Sequence, residues 1–420
     1  MLLLPFHPTG VSAEEFYTLK GHGGPIMDIA VAQDGRIATA SFDNSVGVWR
    51  DRSPDWHEGH EAAVNTVIFD GDTIFSASDD FTIRKWSSPG TILGRHRGKV
   101  VGLAAAPGLV ASASWDGTIG LWPRDGGEGR LLQGHSAGVN AVAFSDDHSR
   151  IYSASSDGTL REWEVASGQE HRQILRHGFG INEIAVNHEQ GWLAYGAVDG
   201  VTRVIDIETG TEIADFTLDR RPILALALNP DQTRLAVGDG EGYIMVIDTT
   251  EWRISRDFRA TLRGPVWALG WSTDGQDIYA GGIDDAMYSW PVASLTEHGQ
   301  MATEKRTFLK DPDEMENGER QFARKCSICH ALTPDGQRRA GPTLHGVFGR
   351  RAGSLPGYLY SDTLNGSEII WSDDTIDALF DKGPDHYIPG TKMPMQRIAD
   401  PADRADLIAY IRRTTSNDRN

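Results

Sequence analysis

Seven times in the first 290 residues an acidic residue stands six positions before a large apolar one. The pairs are Asp43/Trp49, Asp80/Trp86, Asp116/Trp122, Asp157/Trp163, Asp199/Ile205, Glu241/Ile247 and Asp284/Trp290. Successive acids lie 37, 36, 41, 42, 42 and 43 residues apart. A histidine precedes each of the first five acids by 20–22 residues: His22, His60, His96, His135 and His177. A repeat of this size describes one supersecondary unit that buries its apolar faces only by stacking against copies of itself.

The period matches one four-stranded blade of a β-propeller. Ser-Trp-Asp116-Gly-Thr-Ile-Gly-Leu-Trp122 and its neighbours resemble the WD40 repeat family, with Gly-His opening a blade and Trp near its end. The resemblance implies a buried relay in which the Asp accepts from the His and a Ser or Thr continues to the Trp N–H. Such a network is stabilising only when every member is satisfied. In blades five to seven the Ser is expected to give way to Gly196, Gly238 or Gly282, and Ile replaces Trp in two of them, so packing should carry more of their stability. Seven blades over residues 16–290 close a ring and remove exposed sheet edges. Phe16-Tyr-Thr-Leu-Lys-Gly-His22 is similar to Arg130-Leu-Leu-Gln-Gly-His135, so residues 16–20 should supply the outer strand of blade seven. The blade explains the histidines, and no nucleophile motif, phosphate loop or metal cluster accompanies them. Asp146-Asp147-His148 reads as a solvated turn. The propeller reads as a binding platform, although the fold by itself does not exclude catalysis.

The pattern stops after Trp290, and residues 291–310 read as a linker. A helix is expected over 314–325, with acids early and Arg324-Lys325 late, as the helix dipole favours. Directly after it comes Cys326-Ser-Ile-Cys329-His330, which contains the only two cysteines of the chain. Cys-x-x-Cys-His is the attachment signature of a c-type haem: the thiols bond two vinyl groups on one edge of the ring, and the short turn sets the histidine beneath it. A redox dithiol would leave His330 idle. A zinc site would need a second Cys/His pair, and none is evident.

Residues 311–420 resemble class I cytochrome c of the mitochondrial-like branch. The matching stretches are Gly318 and Phe322, the Cys326–His330 motif, Gly341-Pro342-Thr-Leu344-His-Gly346-Val-Phe348-Gly349-Arg350, Gly357-Tyr358-Leu-Tyr360-Ser361, Trp371, Pro389-Gly-Thr391-Lys-Met393 and Asp406-Leu-Ile-Ala-Tyr410. The resemblance implies a small all-α domain behind the all-β propeller. It also implies one covalently attached haem c, with Cys326 and Cys329 as attachment points and His330 and Met393 as iron ligands. The Pro342 carbonyl would fix the histidine ring. Arg350, Tyr360, Ser361 and Trp371 would hold the propionates, and Gly318 would meet Tyr410 where the first and last helices cross. Met395 is the rival ligand, placed second because the family's methionine directly follows Gly-Thr-Lys. Leu364 and Leu379 stand where the family usually carries a distal Asn and Tyr, so the distal network should be thin.

The chain carries a net charge of −19, which disfavours nucleic acid and anionic membrane as partners. Residues 311–420 hold 14 Lys/Arg and 17 Asp/Glu, a net of −3, which leaves −16 for residues 1–310. The family's lysine-rich docking rim is reduced, but Lys325, Arg338, Arg339, Arg351, Lys392 and Arg397 remain near the haem in the family layout. A six-coordinate His/Met site carries electrons rather than binding substrate. The leading expectation is therefore an electron-transfer protein whose redox protein partner docks on the propeller and the haem edge. The alternative is a redox enzyme in the propeller with the cytochrome as its electron port, but no second cofactor site or small-molecule substrate site is evident. Covalent haem attachment in the family implies a bacterial periplasmic location. Val11-Ser12-Ala13 has the small-residue pattern of a signal-peptidase site, so residues 1–15 are expected to be a tail left by a signal peptide. No stretch of about 18 apolar residues is present to span a bilayer.

Overall fold

The computed structural model describes residues 16–87, 90–219, 222–261, 264–294, 314–334 and 338–415. The expected N-terminal tail, residues 1–15, and most of the expected linker lie outside them. Among the described residues are seven four-stranded antiparallel sheets followed by five helices. Blade one consists of the strands Ile26–Val31, Ile37–Ser41, Ser45–Arg50 and Ser53–Glu58. Blades two to six repeat this order, and each inner strand carries a register shift near its start.

Blade seven takes three strands from its own repeat and the fourth from the other end of the propeller. Tyr17–Lys20 pairs antiparallel with Ala286–Pro291, with Tyr17 opposite Ser289 and Leu19 opposite Met287. Leu19 is buried between blades seven and one, with Ile26, Ile29 and Met287. The two ends of the propeller thus close the ring, as the similarity of residues 16–22 to the later blade junctions implied.

The relay is complete in blades one to four. His22 Nδ1 donates to Asp43 at 3.0 Å, Nε2 lies 2.7 Å from Thr39 Oγ1, and the Trp49 indole N–H reaches the same hydroxyl at 2.8 Å. Ser76, Ser112 and Ser153 bridge His60 to Trp86, His96 to Trp122 and His135 to Trp163 in the same way. The expectation for the weaker blades needs correction. The bridging hydroxyl lies four residues before the acid, so the residues replacing it are Tyr195, Val237 and Ala280, not Gly196, Gly238 or Gly282. In blade six the turn is held by Asp239, which accepts from the Glu241 and Tyr243 amides, rather than by Glu241. His177 still reaches Asp199, at 3.1 Å. Asp147 caps the turn it was expected to occupy by accepting from Ser145 and Ser149.

The helical part comprises α1 (Asn317–Lys325), α2 (Asp362–Asn365), α3 (Asp373–Lys382), α4 (Pro384–Tyr387) and α5 (Pro401–Thr415). α1 begins three residues later than expected and ends on Arg324 and Lys325. Gly318 lets α1 cross α5 closely: a Cβ there would collide with the Asp406 carbonyl, and Tyr410 lies alongside. The Phe322 and Tyr410 rings sit 5.7 Å apart at this crossing. α3 opens with a capping box between Ser372 and Thr375. It buries Ile376, Leu379 and Phe380 against Leu407, Ile408 and Ile411 of α5.

Candidate haem site

A single cavity gathers the residues singled out by sequence. Cys326, Cys329, His330, Pro342, Arg350, Tyr360, Ser361, Trp371 and Met393 all line it. Ile328, Leu344, Val347, Ile376, Phe380 and Ile388 supply apolar walls. α1 delivers Cys326 as its C-cap, with the Cys326 amide bonded to the Phe322 carbonyl at 2.9 Å. One more turn, His330 N to Cys326 O at 2.8 Å, brings both cysteines and the histidine to the cavity.

The His330 Nδ1–H donates to the Pro342 carbonyl at 2.7 Å, which leaves Nε2 as the lone-pair nitrogen. Burial holds this ring below its ordinary pKa, so it stays neutral, the form that ligates a metal. Gly341 is required beside it, because a Cβ there would collide with the imidazole. Burial pushes the Cys326 thiol up to about 12 and Cys329 up to about 11. That is the opposite of the lowered pKa that a reactive redox dithiol needs.

Arg350 and Trp371 are fastened to each other through the backbone: Trp371 N donates to Arg350 O at 3.0 Å, and Gly349 N to Trp371 O at 2.8 Å. The Arg350 guanidinium donates to the carbonyls of His345 and Thr343, and among the described residues no carboxylate pairs with it. Its burial lowers its pKa, a cost that an anionic group in the cavity would relieve. Ser361 Oγ is buried without a hydrogen-bond partner in the cavity wall. An apolar slot with a neutral histidine, two cysteines, an uncompensated arginine and an orphaned hydroxyl fits a haem with ionised propionates.

Met393 packs against the domain core and lines the cavity, whereas Met395 is 53% exposed and does not. Leu364 and Leu379 also line it, so this wall is apolar, as the sequence implied. Two features were not legible beforehand. The Tyr358 hydroxyl bonds the Ala340 carbonyl beside the histidine loop. Part of the cavity wall also comes from the propeller: Phe42, Asn44, Ala62, Ala63 and Asp79. No local motif marks these residues, because they reach the site only through the way the two parts pack together.

Fold and site together define a WD40-type propeller joined to a cytochrome c domain. The cytochrome c family model matches residues 315–415, and the WD40 repeat model matches 13–50, 55–87 and 127–164. Cytochrome c of Sesamum indicum is 41% identical over 106 residues, 25% of this chain and 94% of that protein. Cytochrome c of Gibberella zeae is 40% identical over 102 residues, 24% of this chain and 95% of the other. The crystal structure of the WD40 beta propeller domain of Doa1 is similar in fold, with a TM-score of 0.58 and 21% identity over 65% of this chain and 94% of that one. The chain belongs to the cytochrome c family through its C-terminal region. Its cofactor is a haem c, and its propeller is of the protein-interaction kind. Among the described residues no helix is long and apolar enough to cross a membrane.

Proposed function

We propose that the chain is an electron-transfer protein carrying one haem, covalently bound through Cys326 and Cys329 and ligated by His330 and Met393, with the propeller as the platform that selects its redox partner. When bound, the haem supplies one-electron oxidation and reduction at its iron. Cys326 and Cys329 tether the ring, and the Pro342 carbonyl keeps the His330 proton on Nδ1 so that Nε2 serves the iron. Arg350, Tyr360, Ser361 and Trp371 receive the propionates, and the leucines exclude water from the distal wall. The observation that carries this reading is the convergence of His330, with its lone-pair Nε2, and Met393 on one apolar cavity. Two protein ligands close the iron to substrate, which favours electron carriage over an enzyme in the propeller. Because family members acquire haem outside the bacterial cytoplasm, the proposal includes a periplasmic location.

Purified protein should retain one haem per chain after denaturation and acid–acetone extraction, and its iron should cycle between two oxidation states without consuming a small molecule. Extractable haem, or haem reduction driven by a substrate that the isolated propeller turns over, would overturn the reading.

A further inference from the structure

Arg338 leaves the haem domain and enters the face of blade one. Its guanidinium lies over the Trp56 ring, 4.5 Å from the centroid, and ion-pairs with Glu58. Its Nε stands 3.6 Å from Oδ2 of Asp43, the acid of the blade-one relay, and 3.4 Å from Ser45 Oγ, which donates to that Asp. The backbone follows: a Cβ on Gly23 would collide with the Arg338 carbonyl. The same face supplies Phe42, Ala63 and Asp79 to the haem cavity, which Arg324, Lys325 and Lys392 also line. Three of the remaining basic rim residues, Arg338, Lys325 and Lys392, thus lie where the haem domain meets the acidic propeller.

We propose that blades one and two are a docking surface for the chain's own haem domain, latched by Arg338, and that this contact screens the haem edge from protein electron donors until it opens. An acidic donor would seek the basic residues beside the haem cavity, where Arg338 already holds the propeller, so donor and propeller compete for one surface. A cation–π contact and an ion pair, both partly exposed, make a latch weak enough to open on partner binding and sensitive to salt. The screening rests on the proposed haem; the docking itself does not.

The test uses the full-length holoprotein and two independent variants. Arg338→Ala removes the latch. Gly23→Ala wedges the interface from the propeller side and leaves the haem domain unaltered. Small-angle scattering reads opening without reference to the haem. Stopped-flow reduction by reduced flavodoxin, an acidic protein, is compared with reduction by ascorbate. Both variants should increase the radius of gyration, as should high salt in the parent protein. They should speed reduction by flavodoxin about five- to tenfold, the scale expected for losing these contacts, with ascorbate rates unchanged within about twofold. Unchanged scattering in both variants would overturn the docking surface. Opening without faster reduction by flavodoxin, or equal acceleration by both donors, would overturn the screening. A parent protein without haem would defeat the proposed function alone, because scattering still decides the docking.

Discussion

The His330 Nδ1–H donates to the Pro342 carbonyl at 2.7 Å, and Gly341, the residue before Pro342, lies flat against the imidazole. The imidazole and its clamp therefore depend on a residue with no side chain. Gly341→Ala must push the ring or the loop aside, an overpacking cost of about 1–3 kcal/mol. The expected result is a lower unfolding free energy in urea together with a shifted haem reduction potential; Gly357→Ala, where a Cβ would meet nothing within 4 Å but would carry the strain of φ +79°, should also lose stability but leave the potential unchanged. Equal potentials in the two variants would mean that the Gly341 contact does not position the ligand.

Met393 and Met395 are two residues apart yet differ in surroundings: one lines the cavity and the other is 53% exposed. Met393→Ala should abolish the Fe–S charge-transfer band of the oxidised protein and lower the reduction potential, since a soft thioether favours the ferrous state. Met395→Ala should leave both unchanged. Absorption spectroscopy and a redox titration of the two proteins decide between the sulfurs.

Ring closure rests on a four-residue strand. Leu19 is 3% exposed between blades seven and one, while Leu131, on the outer strand of blade three, is 38% exposed. Leu19→Ala should cost about 2–4 kcal/mol and Leu131→Ala less than about 0.5 kcal/mol. Hydrogen exchange should rise first in Ala286–Pro291, the strand that Leu19 covers. Uniform loss of protection over all seven blades, with none led by blade seven, would argue against a local closure.

The repeat spacing was enough to predict seven blades and the borrowed strand, because stacked units have to be self-similar and closed. The motif order likewise pointed to the residues that meet at the cavity, since each carries a distinct chemical requirement. The relay position in blades five to seven was misplaced because Gly196 and Gly238 sit one residue, and Gly282 two, beyond the bridging hydroxyl, and pairing register is invisible in a string of small residues. Arg338 was legible as a basic rim residue, but its seat on Trp56 was not, because contacts between separately folded parts leave no periodic trace.

A last consequence lies inside the propeller. Asp28, on the inner strand of blade one, accepts from the Ile29 and Val67 amides at 2.8 and 3.0 Å, yet burial raises its pKa to about 6. Glu183, on the inner strand of blade five, is raised well above its usual value by burial and then by the charge of Asp28. Carboxyls with raised folded-state pKa values hold their protons more tightly when folded than when unfolded. Below the unfolded values, near 4, they cost nothing; as pH rises, the unfolded chain gives up both protons first, and the penalty grows until each carboxyl is ionised inside the fold, for Asp28 through about 6. For Asp28 the penalty is at most about 3 kcal/mol, reduced by its residual contact with solvent. The relay acids Asp80 and Asp157 act oppositely: their lowered pKa values stabilise the fold above pH 4, and that contribution is lost as pH falls. Glu183→Gln removes one charge and relieves the other, so it should stabilise the protein at pH 8 by about 1 kcal/mol or more and have no effect at pH 4. Urea denaturation at the two pH values measures the difference, and a stabilisation that is the same at both would show that the carboxyl pair is not its source.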